Sequence, residues 1–317
     1  MDLVTKVTNL IRGGNRSLNH RKFVSFLEEM DTDYGDLQLH TEIRWLSRGK
    51  CLERFFALRK EIPTFLEQQV TGDMSAYCSK LTDGGFLCDM AFLTDITSHL
   101  NRLNLQLQGK NQTVSDLYGH MNAFKIKLSL FQRCFSSDHP DLTHFPACQE
   151  MRDEMRKSDP KYRDTFGKYK GDIATLQTQF SDRFEDFHGM QSRMALFASP
   201  ITATVSEQPK ELQLELCELQ SDPFFQARKN ETGISFWKLL PEPRFPLLRD
   251  FALSMASMFG STYICESNFS NMKHIKSKER NRLSDETLFH LMQIACTNID
   301  VDIPSIVRQP ERPQVSH

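Results

Sequence analysis

Apolar residues recur along this chain at intervals of three and four, the spacing that sets side chains on one face of an α-helix. From Phe86 the pattern runs through Met90, Leu93, Ile96, Leu100, Leu103 and Leu107. A second stripe takes Val114, Leu117, Met121, Phe124, Leu128 and Phe131. A third takes Ile173, Leu176, Phe180, Phe184, Phe187, Met190, Met194 and Phe197. Each is one continuous apolar face, which predicts long helices packed on one another as a bundle.

Turn-forming residues punctuate the stripes. Gly109-Lys110-Asn111 separates the first two, Ser136-Ser137-Asp138-His139-Pro140 ends the second, and further breaks fall at Ser199-Pro200 and Pro241-Glu242-Pro243. Nearer the start, Asp2 to Ile11 and Leu18 to Met30 read as two helices divided by Gly13-Gly14. Alternation at Leu37, Leu39, Thr41 and Ile43 predicts a single strand over 37–43. Helix resumes at Ser47 with Leu52, Phe55, Phe56, Arg59, Ile62, Phe65 and Leu66.

Composition agrees with a helical reading. Gly contributes only 14 of 317 residues, against roughly 7% in average proteins. The 39 basic and 41 acidic side chains balance to a net charge of −2, which excludes a generally basic nucleic-acid coat. The 8 cysteines form no CxxC pair and face no spaced His pair, so a zinc finger has no support. No signal-like segment opens the sequence, and no apolar run approaches about 18 residues. Scattered thiols without a signal suit a reducing compartment. No membrane partner is expected.

Nucleotide-binding, hydrolase and zinc-protease motifs are absent, and no cofactor is implied. Two stretches stand out. In His40 to Gly49 one of the 2 Trp residues, Trp45, follows Arg44 at a strand-to-helix boundary, where an indole suits either a core plug or a ligand contact. Between 273 and 282 lie Lys273, Lys276, Lys278, Arg280 and Arg282 with Glu279 alone opposing them, a net +4 in a near-neutral chain. Such a patch suits a solvated helix end or a phosphate backbone.

Four segments then follow in order: Phe236-Trp237-Lys238-Leu239-Leu240, Phe245-Pro246, Glu266-Ser267-Asn268-Phe269-Ser270, and Lys278-Glu279-Arg280-Asn281-Arg282-Leu283-Ser284. The combination resembles the C-terminal region of hAT superfamily transposases. His40 to Gly49, with Leu18-Asn19-His20-Arg21 upstream, is similar to the transposase-derived vertebrate proteins of the BED-finger and general-transcription-factor-II-I-repeat groups.

The resemblance implies an RNase H-like core interrupted by a large helical insertion, with three carboxylates holding two metal ions for DNA strand cleavage and transfer. Glu266 matches the last of those carboxylates, and Trp45 matches a Trp linked to handling flanking DNA. The two catalytic Asp residues precede the Arg-Trp region by more residues than this chain has, so it is expected to be N-terminally truncated and to lack the BED finger. One carboxylate cannot hold two Mg²⁺ ions, each needing near-octahedral oxygen ligation. The expected fold is mainly α. A remnant of the split RNase H-like core occupies 1–46 and the helical insertion bundle 47–240. The returning helix with the hAT dimerisation region takes 241–303, and a polar tail 304–317.

The expected function is a catalytically inactive, domesticated transposase-derived protein acting through protein–protein interaction, with no small-molecule substrate and no resident metal. Its expected partner is a second copy or a related hAT-derived chain. Phe251, Met255, Phe259, Leu288, Leu291 and Ile294 are expected at the contact. The alternative is a DNA-binding or DNA-processing fragment using Arg44, Trp45 and the 273–282 patch. A nuclear location is expected, with the cytoplasm as alternative and secretion excluded. With its sheet missing, an exposed apolar face is expected on 1–46 or 245–300.

Overall fold

The computed structural model describes residues 1–296 except 13–16, 31, 33, 39–44, 71–72, 110–111, 138, 160, 232, 259–262, 278–279 and 281. For residues 17, 45–47, 186–188, 263–264 and 266–267 it describes the backbone alone. The chain divides into two compact units, Met1–Gly260 and Ser261–His317. The architecture is helical throughout, with no strand among the described residues. Most of the strand expected over 37–43 lies outside them; Leu37 and Gln38 are irregular, with the Leu37 side chain buried.

The first unit holds two cores. Nine helices build the first: α1 (Asp2–Arg12), α2 (Ser17–Glu29), α3 (Trp45–Ala57), α4 (Glu61–Gln69), α5 (Ser75–Leu81), α6 (Gly84–Leu107), α7 (Val114–Cys134), α8 (Pro146–Ser158) and α9 (Lys170–Arg183). The two stripes read at 86–107 and 114–131 are α6 and α7, and both are capped by their sequence. Asp83 accepts the Phe86 N–H at 2.8 Å, and Thr113 with Asp116 forms a reciprocal capping box. Helix α6 packs against α3, α7 and α8. Aromatic rings fill the space between: Phe92 stacks on Tyr169 at 4.2 Å, and Phe145 meets Phe135 edge-on at 4.8 Å.

The third stripe is not one helix. After α9 the chain takes a 3-10 turn over Glu185–Met190 and then α10 (Gln191–Ala198). The continuous apolar face over 173–197 does not by itself show this break, since the same pair of three-residue steps at Met90, Leu93 and Ile96 lies within unbroken α6. The break also carries the chain between cores. Leu176, Phe180 and Phe184 pack on the first, while Met194 and Phe197 belong to the second. That second core is completed by α11 (Lys210–Ser221), α12 (Pro223–Gln226), α13 (Gly233–Trp237) and α14 (Pro246–Ser257). There Trp237 donates its indole N–H to the Phe197 carbonyl at 2.9 Å, satisfying the one polar atom of a buried ring.

Among the described residues of 1–46 most of the apolar face is covered, with Leu18 and Met30 left open. Val4, Val7, Ile11 and Leu27 are buried, and Phe23 meets Phe65 edge-on at 4.9 Å. Asp36 pins the segment after α2 by accepting from His20 Nε2 at 2.9 Å, with Arg12 Nη2 at 3.3 Å. Leu37 and Cys51, on either side of 46, share the first core, and Trp237 and Phe245, on either side of 240, share the second.

Arg59, the charge on the apolar stripe, is 7% exposed and accounts for its position. Its Nη2 reaches Glu150 Oε1 at 2.7 Å and Glu154 Oε1 at 2.9 Å on α8, while its plane lies 4.3 Å from the Phe56 ring. These ion pairs tie the α3–α4 junction to α8. Removing both glutamates leaves a buried guanidinium unpaired, so Glu150→Ala with Glu154→Ala is expected to lower stability by about 3 kcal/mol in chemical denaturation. Arg59→Met, which removes the charge but keeps volume, is expected to cost less. Equal losses for the two variants would contradict this account.

Candidate functional site

The second unit contains Leu288, Leu291 and Ile294 of the expected contact and the basic patch at 273–282. Its described part is a helix pair, α15 (Tyr263–Ile275) and α16 (Asp285–Cys296), packed on each other. Ser284 opens α16 by accepting the Thr287 N–H at 3.2 Å, and Asp285 and Glu286 place negative charge at the positive end of the helix. The far end of α16 is fixed to the middle of α15 by Cys296 Sγ, which donates to Asn268 Oδ1 at 3.0 Å.

The apolar residues of this pair exceed what the two helices can cover for each other. Leu288, Leu291 and Met292 form a half-buried stripe on α16, as do Met272 and Ile275 on α15. Phe289 and Ile294 flank the α16 stripe, at roughly 100–120° on either side of Leu288. They are 59% and 64% exposed, and Phe269 on α15 is 60% exposed. No residue of α16 is buried among the described ones. A 12-residue helix that is apolar over more than half its circumference cannot cover that arc with one neighbour. The excess faces outward.

The six residues expected at a dimer contact divide. Phe251 and Met255 on α14 are 6% and 0% exposed, held inside the second core of the first unit. Leu288 and Leu291 are half-buried and Ile294 is open, all on α16. Phe259 lies outside the described residues. Phe289 and Phe269, absent from the expected six, are the open aromatic groups of the helix pair. Their sequence signal is an aromatic residue interrupting an otherwise polar face.

Of the basic patch, Lys273 closes α15 in its last turn, where a cation complements the carbonyl end of the helix. Lys276, Arg280 and Arg282 follow it, and all four are exposed with no carboxylate partner among the described residues. Lys278 and Arg44 lie outside the described residues, as do the side chains of Trp45, at the start of α3, and Glu266, within α15.

The first core also holds a titratable cluster that no sequence motif marks. Asp95 on α6, 4% exposed, accepts the N–H groups of Ala147 at 3.1 Å and Cys148 at 2.9 Å, capping α8 from another helix. Burial pushes its carboxyl up to about 6, against the pull of those two donors. Burial likewise raises the neighbouring Cys148 thiol, helped by the Asp95 charge, which keeps it protonated at neutral pH. The group is a structural cap and carries no nucleophile.

A chain helical throughout its described residues, whose second unit holds a helix pair with exposed apolar residues, is the class these features define. Residues 215–296 match the hAT family C-terminal dimerisation region, and residues 1–136 match the FAM200/GTF2IRD2 helical domain. The chain thus carries two regions of the hAT-transposase-derived proteins, as its motifs imply. It is similar to General transcription factor II-I repeat domain-containing protein 2 of Bos taurus, 34% identical over 296 residues, covering 93% of this chain and 29% of that protein. The Mus musculus protein of the same description is 34% identical over 279 residues, covering 88% of this chain and 28% of its own length. The chain spans less than a third of the curated relatives it matches. No solved structure matches it. No described helix is long and apolar enough to cross a membrane.

The raised carboxyl of Asp95 has a definite sign. Below the ordinary value of about 3.9 both states are protonated, and the native state then loses ground as pH rises through about 6. The stability of the protein relative to Asp95→Asn is therefore expected to fall between about pH 4 and 6, by roughly 3 kcal/mol. Denaturation of both proteins across this range measures it; a flat difference would show that the carboxyl titrates normally.

Proposed function

We propose that this hAT-derived chain acts by protein–protein association, pairing with a second copy or a related hAT-derived chain through α15 and α16. The observation that carries the reading is the absence of any buried residue on α16 among the described ones, despite Leu288, Phe289, Leu291, Met292 and Ile294. Apolar area left in water costs roughly 25 cal/mol per Å², and a two-fold pairing is the commonest way to cover it. The match to a dimerisation region over 215–296 supports the same reading. The partition at 46 and 240 is then one of descent, with 1–46 drawn from the ancestral RNase H-like part, rather than one of packing. The names of the relatives, which describe repeat domains of a transcription factor, support a nuclear location.

Light scattering on the full chain at micromolar concentration is expected to give twice the mass of 36.8 kDa. Phe289→Glu with Ile294→Glu, both at open positions, is expected to return it to one copy without changing its helical signal. A single-copy mass for the unaltered chain rejects self-pairing.

The chain is further proposed to have no strand-cleavage activity of its own, because Glu266 is the single residue that matches the family's carboxylates. Incubation with supercoiled plasmid and Mg²⁺ or Mn²⁺ is expected to leave the plasmid intact. Nicking abolished by Glu266→Ala would overturn this.

The second reading, nucleic-acid contact, is favoured by the open Lys273, Lys276, Arg280 and Arg282, which have no carboxylate partner among the described residues. On that reading duplex affinity falls steeply with salt, since each neutralised phosphate releases counterions. Replacing Lys273 and Lys276 by Ala is expected to flatten the slope by about 2. No binding at low salt would leave association as the sole reading.

A further inference from the structure

A basin on the first unit takes no part in either reading. It lies where the loop after α7, the end of α8 and the segment 162–170 meet, and encloses about 770 Å³. Arg156, Arg163, Lys168 and Lys170 line it, with His139 and, among the described residues, one carboxylate, Asp164. That carboxylate does not oppose them across the basin. Its side chain is only 1% exposed, its Oδ2 lies 3.6 Å from Arg152 Nη1 and 3.9 Å from Arg156 Nη2, and its Oδ1 accepts the Phe166 N–H at 3.0 Å. Its ion pairs thus lie with Arg152 and Arg156, not with Arg163 or Lys170. Lys168 is held by Asp89 Oδ1 at 2.6 Å on its other side. Arg163 and Lys170 are exposed and have no carboxylate partner among the described residues.

Cations gathered on a concave wall repel one another, and the field they focus is relieved by an anion placed among them. The volume is that of a small-molecule site, but the lining is polar and hydroxylated, with Tyr162 and Thr165 beside the cations. A strand of nucleic acid instead takes a groove that continues along its backbone. We propose that this basin binds a compact phosphate ester bearing at least two phosphoryl groups, held chiefly by Arg163 and Lys170 with Arg156 as the third cation. The planar fork of a guanidinium and the point charge of an ammonium are the usual pair for such groups.

Inorganic tripolyphosphate is the probe. Titrated into the full chain at low salt, it is expected to bind one to one and to raise the unfolding midpoint, as any ligand of the folded state does. Sulfate at matched ionic strength is expected to do neither. Arg163→Ala with Lys170→Ala is expected to weaken binding by roughly tenfold for each cation removed. Lys273→Ala with Lys276→Ala should leave it unchanged. Both basin side chains are open to solvent, so the unliganded midpoint should not move; Arg163→Gln with Lys170→Gln repeats the test if it does. Absence of saturation, equal binding of sulfate, or an affinity indifferent to the basin variants overturns the proposal. So does duplex DNA binding that needs Arg163 and Lys170 while tripolyphosphate fails to bind, which would assign the basin to nucleic acid.

Discussion

The first core depends on a helix that has neighbours on most sides. Because α6 packs against α3, α7 and α8, it buries Cys88, Met90, Ala91, Phe92 and Ile96 and cannot reserve a full polar face for solvent. Its polar residues must then be satisfied inside. Thr94 returns its hydroxyl to the Met90 carbonyl at 2.8 Å, a bond within its own helix. Asp95 has no such local route and reaches across to the first turn of α8. The position of α8 follows, and with it that of Glu150 and Glu154, which receive Arg59 from the α3–α4 junction. One crowded helix thus orders its neighbours through a carboxylate and an ion pair.

Much of this is legible in the residues. Unbroken +3/+4 spacing locates α6 and α7 to within a few positions, because amphipathic period is a local property. The third stripe misleads, since a continuous apolar face does not show that the backbone breaks at 185–190 and passes from one core to another. Asp95 is invisible for a different reason: a carboxylate in an apolar helix carries no mark of which distant N–H groups await it. Arg59 is visible as an anomaly but not as a partner of α8. Phe251 and Met255 have the same composition as residues at an interface, and only the packing of α11 and α13 against α14 shows them enclosed.

The functional residues divide along the same line. Order and spacing of short motifs reach the family, because descent preserves sequence even where chemistry has gone. Phe269 lies within the quoted 266–270 motif, but that it and Phe289 stand open is a matter of packing that no motif encodes. Five cysteines are buried, whereas Cys217, Cys265 and Cys296 face solvent. The thiols that pack therefore separate from those able to react, two of them on the proposed contact.

The start of α7 has a consequence for how the first unit comes apart. Its first turns, with Val114 and Tyr118, lie against the second core, and Ser115 bonds to the Met194 carbonyl, while Met121, Phe124, Leu128 and Phe131 lie in the first. Two cores joined only by the 3-10 turn at 185–190 would melt as separate cooperative blocks. A helix rooted in both makes loss of either one felt by the other. The solvent-facing Thr113–Asp116 capping box holds the turn from which Val114 and Tyr118 reach that second core, so a local cap bears on how the two cores are coupled.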